Sequence, residues 1–226
     1  MTASLLDRAL YSYADVDRLV ALQPGTGRRW LEGYTRRETF YEPVLREEPT
    51  GSDEVTWGEM VEARLLAEFR APDVAVARMR PAIEKLRETF GRYPLAHARP
   101  FLDVEGRELV QLVQDDVGLD RPLRMVVVRD GQFVLTEAAE RFHRSIDYEG
   151  AVAGRLRLHR YAPEVVMDPR HAFGQPAVRN VRTEVLAEAY RAGSNREELA
   201  DLYSLSPDQV DSALRFEMIA STDRVA

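Results

Sequence analysis

Residues 181–217 decide the fold of the last third of the chain and have the sequence VRTEVLAEAYRAGSNREELADLYSLSPDQVDSALRFE. Apolar residues recur in this stretch at the three- and four-residue spacing of amphipathic helices. The first helix is predicted to begin at Arg182-Thr183 and to end at Gly193, because glycine readily adopts the left-handed backbone that follows a helix. Two further helices follow with a short turn between them. The stretch therefore predicts three short helices that end in a helix-turn-helix.

Residues that suit helix caps precede the second and third of these helices. Ser194 is followed three residues later by Glu197, which is the arrangement of a capping box. Ser206 precedes Pro207, and proline suits the first helical position because its missing N–H has no helical partner there. One face of the second helix is predicted to be apolar, through Leu199, Leu202 and Tyr203.

The charges of the third helix argue against its reading DNA. Arg215 is the only basic residue between Asp208 and Glu217. The other outward positions of this helix are acidic or neutral. A surface that binds phosphates is expected to be basic, because neutralising phosphates supplies most of the affinity. Three helices that close a core and a protein-binding surface both remain open interpretations of this segment.

The last third also resembles a known family. The run DPRHAFGQPAV at residues 168–178, followed by the three helices, resembles a small uncharacterised domain carried by antitoxins of bacterial toxin–antitoxin pairs. The turn at residues 179–182 departs from the pattern of that domain. The resemblance implies a VapB-like antitoxin whose partner is a PIN-domain ribonuclease toxin. The matching residues are Asp168, Pro169, Gly174, Pro176, Gly193, Glu198, Ala200, Leu205, Val210 and Ala213.

The composition limits the classes of protein to consider. The chain has 226 residues, of which 45% are hydrophobic and 31% charged, and this is enough for a sizeable core. Its net charge of −7 means that any contact with DNA must come from a local basic patch. Without cysteine there is neither a disulfide framework nor a thiolate metal site. A cytoplasmic location without a membrane span or secretory signal is expected.

A basic patch of this kind lies near the N-terminus. Ser12, with Asp15 three residues on, is predicted to cap a first helix. A turn at residues 22–25 leads to a second helix that ends at Gly33. Residues 26–37 contain four arginines and only one acidic residue, Glu32. Trp30 is predicted to anchor the core, and the arginines form either a DNA-binding face or a solvated one.

The N-terminal segment is similar to the helix-turn-helix module of MerR-like regulators, with FYEPVL at residues 40–45 in the place of the wing. Residues Gly25 and Gly27 are expected to loosen the start of the second helix, and Gln23 stands where a capping serine or threonine is usual. What the resemblance implies is that this helix enters the major groove of operator DNA. The DNA-binding residues are then Thr26, Arg28, Arg29, Tyr34, Arg36 and Arg37.

Two long helical stretches follow a polar linker at residues 47–53. Apolar residues repeat at helical spacing over residues 57–69 and again over 76–90. Pro81 predicts a kink or a new helix start. Two outcomes remain open for these stripes: they form a homodimer surface, as the helices after the wing do in MerR-like proteins, or they pack inward.

The middle of the chain is predicted to form a small antiparallel sheet. Residues 101–104 and 107–113 are interpreted as two strands around a turn, and the Asp130-Gly131 dipeptide indicates a second hairpin. The fold class is therefore α+β and mostly helical. Its predicted domains are a MerR-like helix-turn-helix with a helical extension (1–92), a small middle region with the sheet (93–162) and a C-terminal three-helix module (163–226).

No catalytic motif, metal-ligand spacing or cofactor site is found in the sequence. The favoured hypothesis is an antitoxin that binds a toxin and represses its own operon. Arg215 and Arg224 are the preferred toxin-binding residues, because an arginine near the chain end is able to reach carboxylates in a nuclease cleft. The alternatives are a stand-alone MerR-like regulator whose middle sheet senses a small molecule and, third, an enzyme with an unrecognised site.

Overall fold

The computed structural model describes residues 4–70 and 75–222, without the side chains of 220–222. The chain divides into two compact units, residues 1–153 and 154–226. The sequence had predicted a boundary at residue 93, which lies inside the first unit. That segment is held there by buried contacts: the indole Nε1 of Trp57 donates to the Ala153 carbonyl at 2.8 Å, and Glu62 accepts from the Leu95 N–H at 3.0 Å.

The predicted fold class, α+β and mostly helical, is confirmed by the order of elements in the described residues. Within residues 4–70 and 75–222, the strands form five two-stranded sheets instead of one larger sheet. The first unit begins with β1 (Ala9–Tyr11), α1 (Tyr13–Leu19), α2 (Thr26–Glu32), β2 (Tyr34–Arg36), β3 (Thr39–Tyr41) and β4 (Val55–Thr56). Strand β1 pairs with β4, and β2 pairs with β3 as a hairpin.

The next two helices are α3 (Trp57–Glu68) and α4 (Arg80–Phe90). Pro81 lies in the first turn of α4, so the predicted new start is confirmed. The apolar stripes that suggested a homodimer are buried within the single chain: Trp57, Met60, Ile83 and Leu86 are all 0% exposed. Residues 57–90 therefore do not present these stripes as a dimer surface.

The two strands predicted at residues 101–113 are wrong, because this segment forms α5 (Arg99–Leu102) and α6 (Val104–Asp116). The buried face of α6 includes Gly106, Val110, Gln111 and Gln114, so glutamines stand where apolar residues would have indicated a helix. Gly106 was interpreted as a turn residue. It is needed instead where α6 crosses α5, since a Cβ there would lie 2.1 Å from the Arg99 carbonyl oxygen.

The unit is completed by β5 (Val126–Arg129), β6 (Gln132–Leu135), α7 (Glu137–Ser145), β7 (Ile146–Glu149) and β8 (Val152–Leu156), with the unit boundary inside β8. The hairpin predicted at Asp130-Gly131 is confirmed, with φ of 52° and 76° at these residues. Gln114 supports it, because its side-chain oxygen accepts from the Met125 N–H at 2.6 Å. The predicted middle sheet is therefore two separate pairs of strands beside helices.

The second unit contains β9 (Ala177–Val178), β10 (Val181–Arg182), α8 (Thr183–Arg191), α9 (Arg196–Tyr203) and α10 (Pro207–Thr222). The three predicted helices are thus confirmed, and Leu186, Leu199, Val210 and Ala213 pack in their common core. Asn195, with Glu198, caps α9, and the predicted cap at Ser194 is one residue early. Of the predicted apolar face of α9, Leu199 is buried but Leu202 is 70% exposed.

Candidate functional site

Four of the predicted DNA-binding residues form one exposed set in the first unit. Arg28 and Arg29 lie on α2, and Arg36 and Arg37 lie on the β2–β3 hairpin. We call these four arginines the basic surface. All four side chains are exposed. Within the part of the chain that the structure describes, no carboxylate forms an ion pair with them.

The start of α2 is fixed by a residue that the sequence interpretation missed. Asp17, on α1, accepts hydrogen bonds from the backbone N–H groups of Gly25 and Gly27, both at 2.6 Å. A carboxylate at this end of a helix satisfies free N–H groups and is stabilised by the helix dipole. Gly27 also packs against α1, since an added Cβ would lie 3.1 Å from Val16. The sequence predicted that the two glycines loosen the start of α2. Instead, their N–H groups are the ones through which Asp17 holds it.

The hairpin places its two arginines at the tip. Arg36 pairs with Thr39, and the intervening residues Arg37 and Glu38 have φ of 48° and 66°, as a tight two-residue turn requires. At the base, the rings of Tyr34 and Tyr41 stack with their centroids 4.9 Å apart. The wing predicted at residues 40–45 is extended only at Phe40 and Tyr41, which belong to this hairpin, whereas Val44 and Leu45 are buried. Tyr34 is exposed on the hairpin.

Glu32, the one acidic residue of the segment 26–37, is paired within the fold and not with the four arginines of the basic surface. Glu32 forms an ion pair with Arg46 and accepts from the Gly51 N–H at 2.8 Å. Burial alone would raise the pKa of Glu32, but hydrogen bonds from Gly51 and Thr50 lower it to about 2. Its charge is therefore neutralised within the fold. The segment 47–53 that was predicted as a linker is the loop that supplies these bonds.

Thr26 differs from the other predicted DNA-binding residues because it is buried. Its side chain is buried at 8% exposure, and its hydroxyl accepts from Arg29 Nη2 at 3.1 Å. It lines a cavity of about 390 Å³ together with Trp30, Tyr34 and Arg70. Thr26 therefore orients Arg29 and is not displayed on the exposed face.

The two predicted toxin-binding arginines are in different situations. Arg215, on α10, is exposed, and its Nη1 donates to the Tyr161 carbonyl at 3.1 Å. Its charge is not paired with a carboxylate among the residues that the structure covers. Arg224 lies outside the described residues. Arg196, another cation of this unit, forms ion pairs with Glu197 and Asp211 instead.

Neither a metal-binding group nor a membrane-spanning helix is found in the described ranges. No cluster of three or more histidine, aspartate or glutamate side chains there has the arrangement to hold a metal ion. None of the helices is long and apolar enough to cross a bilayer. Asp115 and Asp116, an adjacent acidic pair, form separate ion pairs with Arg124 and Lys85.

A full-length relative establishes the family. The chain is 41% identical over 223 residues to an uncharacterised protein of Mycobacterium tuberculosis, Rv2308, and the match covers 94% of this chain and 92% of that protein. This chain belongs to the Rv2308 family. A second relative, 30% identical over 225 residues and 92% of this chain, is a Mycobacterium tuberculosis protein that bears the name "Putative antitoxin VapB45".

The fold of the Rv2308 family has also been solved in a crystal. The X-ray structure of Rv2018 from Mycobacterium tuberculosis matches this chain with a TM-score of 0.74 and 30% sequence identity, over 92% of this chain and 99% of that one. In addition, residues 165–216 match a domain described as a protein of unknown function, DUF433. This domain corresponds to most of the second unit, including the segment whose resemblance to antitoxin domains was noted from the sequence.

Proposed function

We propose that this member of the Rv2308 family is an antitoxin, and not an enzyme, that binds and neutralises a PIN-domain ribonuclease toxin and represses its own operon. The observation that carries the proposal is the full-length match to the relative named as an antitoxin, which extends over both units. Equivalent length in both proteins favours a shared role for the whole chain. The basic surface and the exposed Arg215 supply separate candidate contacts for DNA and toxin.

The basic surface supports the repressor part of the proposal. On a chain with a net charge of −7, four exposed arginines without carboxylate partners in the described structure make a local positive region. Arg28 and Arg29 are presented by a helix whose start Asp17 holds, and Arg36 and Arg37 by a hairpin of fixed register. Such a pair of elements suits a major groove and the adjacent phosphates. A homodimer on a pseudo-palindromic operator stays a prediction, with its interface away from the buried stripes.

The first prediction is that Arg28→Ala with Arg29→Ala weakens binding to the protein's own promoter. Each lost phosphate contact is expected to lower the slope of log affinity against log salt by about one unit. The measurement is fluorescence anisotropy with a labelled promoter duplex at several salt concentrations. The control, Arg121→Ala with Arg129→Ala, removes the same charge from exposed positions elsewhere in the unit. If the two double variants bound the promoter with equal affinity and equal salt slope, the basic surface would not be the DNA site.

The toxin part rests on the chemistry of arginine. A PIN nuclease holds divalent metal with carboxylates, and a guanidinium is able to pair with two carboxylate oxygens at once and keeps its charge. The small-molecule sensor, which was the alternative, required a middle sheet. That region forms α5, α6 and two separate two-stranded sheets, so it has less sheet than the sensor alternative assumed.

The second prediction is that Arg215→Ala with Arg224→Ala reduces toxin neutralisation. We expect affinity for the toxin to fall about ten-fold or more, because a desolvated charge pair in an interface is lost. The measurement is bacterial growth during co-expression with a PIN-domain ribonuclease from the adjacent gene, which is the partner that the proposal requires. The matched control is Arg182→Ala with Arg191→Ala, two exposed arginines of the same unit. Full rescue by both variants would exclude Arg215 and Arg224 as the inserted cations.

A further inference from the structure

An exposed aromatic ring is held on a strained loop in the second unit. Phe173 is 81% exposed. Ala172 and Phe173 both have left-handed backbone, with φ of 49° and 56°, and this costs an L residue about 1 kcal/mol or more. Packing does not account for this conformation, because the ring faces solvent. Strain that is retained to display a side chain points to a binding role.

The base of this loop is fixed by a buried carboxylate. Asp168 is 4% exposed and accepts from Arg155 Nε and Arg170 Nε, both at 2.9 Å, and from the Arg170 backbone N–H at 2.9 Å. Burial would raise the pKa of Asp168, but the bonds from Arg170 and Arg155 lower it to about 2. At neutral pH the carboxylate is ionised, and it holds the base of the loop through these hydrogen bonds.

A positively charged cavity lies beside the displayed ring. Its volume is about 300 Å³. His171 and Gln175, which flank the ring in sequence, line it together with Arg155 and Arg179. Among its lining residues the two guanidiniums, of Arg155 and Arg179, outnumber the one carboxylate, that of Asp168, so the lining carries excess positive charge. It is therefore suited to receive a carboxylate.

We propose that residues 168–174, with the adjacent cavity, form a docking surface for an acidic segment of the ribonuclease toxin. Phe173 enters an apolar pocket of that protein, and Arg155 and Arg179 receive a carboxylate next to the pocket. This inference rests on the proposed function and adds to it the surface and chemistry of recognition. A rigid aromatic anchor is the residue type that contributes most to protein interfaces, and a preformed loop avoids the entropy cost of ordering.

The test measures the affinity of the purified full-length chain for the toxin from the adjacent gene by titration calorimetry. Phe173→Ala is expected to weaken binding about ten-fold or more, and Phe173→Tyr is expected to keep most of it. Leu202→Ala is the matched control, because Leu202 is 70% exposed on α9 in the same unit. Unchanged thermal unfolding verifies that each variant is folded.

The cavity is tested by a second variant. Among the residues that the structure describes, Arg179 Nη1 donates to a carbonyl, that of Ser204, at 3.0 Å and forms no ion pair, so Arg179→Met removes the charge without stranding a buried carboxylate. We expect this change to weaken toxin binding and to reduce its dependence on salt, because one cross-interface charge pair is lost.

The outcomes separate this inference from the proposed function. If the unaltered chain binds the toxin and both Phe173→Ala and Arg179→Met bind it equally well, the docking surface is overturned and the antitoxin function stands. If the unaltered chain does not bind the toxin, the proposed function fails and this inference fails with it. Variants that lose promoter binding but keep toxin affinity would assign the surface to nucleic acid and overturn the proposal.

Discussion

Arg46→Met is expected to lower the free energy of unfolding by about 3 to 5 kcal/mol, the usual cost of leaving a buried charge without its partner. Arg46 is 8% exposed, and its Nε donates to Glu59 Oε1 at 2.8 Å. Glu59 is 2% exposed, so its carboxylate would stay buried without its guanidinium partner. Urea unfolding followed by circular dichroism measures the change.

The effect of Arg46 is large because one guanidinium connects several segments. Besides Glu59 it bonds to the carboxylate of Glu32, to the Thr50 hydroxyl at 2.5 Å and to the Glu54 carbonyl at 2.8 Å. It thereby ties α2 to α3 and to the loop 47–54. Lysine is not expected to replace it, because an ammonium lacks the planar fork that meets both carboxylates.

A surface ion pair provides the control for Arg46. Arg144 pairs with Glu140 on α7, and the two side chains are 74% and 46% exposed. Pairs of this kind contribute about 0 to 1 kcal/mol, so Arg144→Met is expected to change stability little. An equally small effect of Arg46→Met would mean that the buried network around Arg46 does not stabilise the protein.

Glu62→Gln is expected to stabilise the protein progressively as pH rises from 4.5 to 8. Glu62 is 0% exposed on α3. Its burial raises its pKa from 4.5 to about 8, and the Leu95 N–H bond and the charge of Arg87 oppose the rise only in part. Among the described residues, its Oε2 has no hydrogen-bond partner. Glutamine keeps the acceptor for Leu95 and has no proton to lose.

The direction of the pH effect follows from the raised pKa. Below pH 4.5 the Glu62 carboxyl is protonated in both the folded and the unfolded chain, and it contributes no pH dependence. Between pH 4.5 and 8 the unfolded chain releases this proton while the folded chain keeps it, so the wild-type protein loses stability as pH rises. The accumulated loss is on the order of 4 kcal/mol at pH 8. Above pH 8 both states are ionised, and the loss stays constant.

Thermal unfolding of the Glu62→Gln variant and the wild type, at pH 5, 6, 7 and 8, checks this prediction. The difference in melting temperature is expected to be small at pH 5 and to grow toward pH 8. Glu88→Gln, an exposed change on α4, is the control for the general loss of a negative charge. A difference that does not vary with pH would mean that Glu62 is ionised normally in the folded protein.

Local signals in the sequence were sufficient for much of the fold. Ser12, Pro81 and the Asp130-Gly131 dipeptide act on their immediate neighbours, and each lies at the helix start or turn that was predicted. The error at residues 101–113 has a different origin. The buried face of α6 carries Gln111 and Gln114 instead of apolar residues, and the partners of Gln114 come from outside the helix, so hydrophobic periodicity was weak there.

The charged residues of the candidate site were predictable from the sequence, but the residues that hold them in place were not. The arginine cluster is visible in twelve consecutive residues, whereas Asp17 and Arg46 are distant from the groups that they hold. One signal was available for Asp17: α2 begins between two glycines without a capping side chain, so an anion from another segment was needed. Phe173 gave no such signal, because its exposure depends on a backbone conformation that the sequence does not specify.

The most direct test of the antitoxin function is the rate of RNA cleavage by the purified ribonuclease of the adjacent gene, measured with increasing amounts of the full-length chain. The account predicts that cleavage falls to the background rate when the chain and the ribonuclease approach equal concentrations. Cleavage at the uninhibited rate in a molar excess of the folded chain would contradict it.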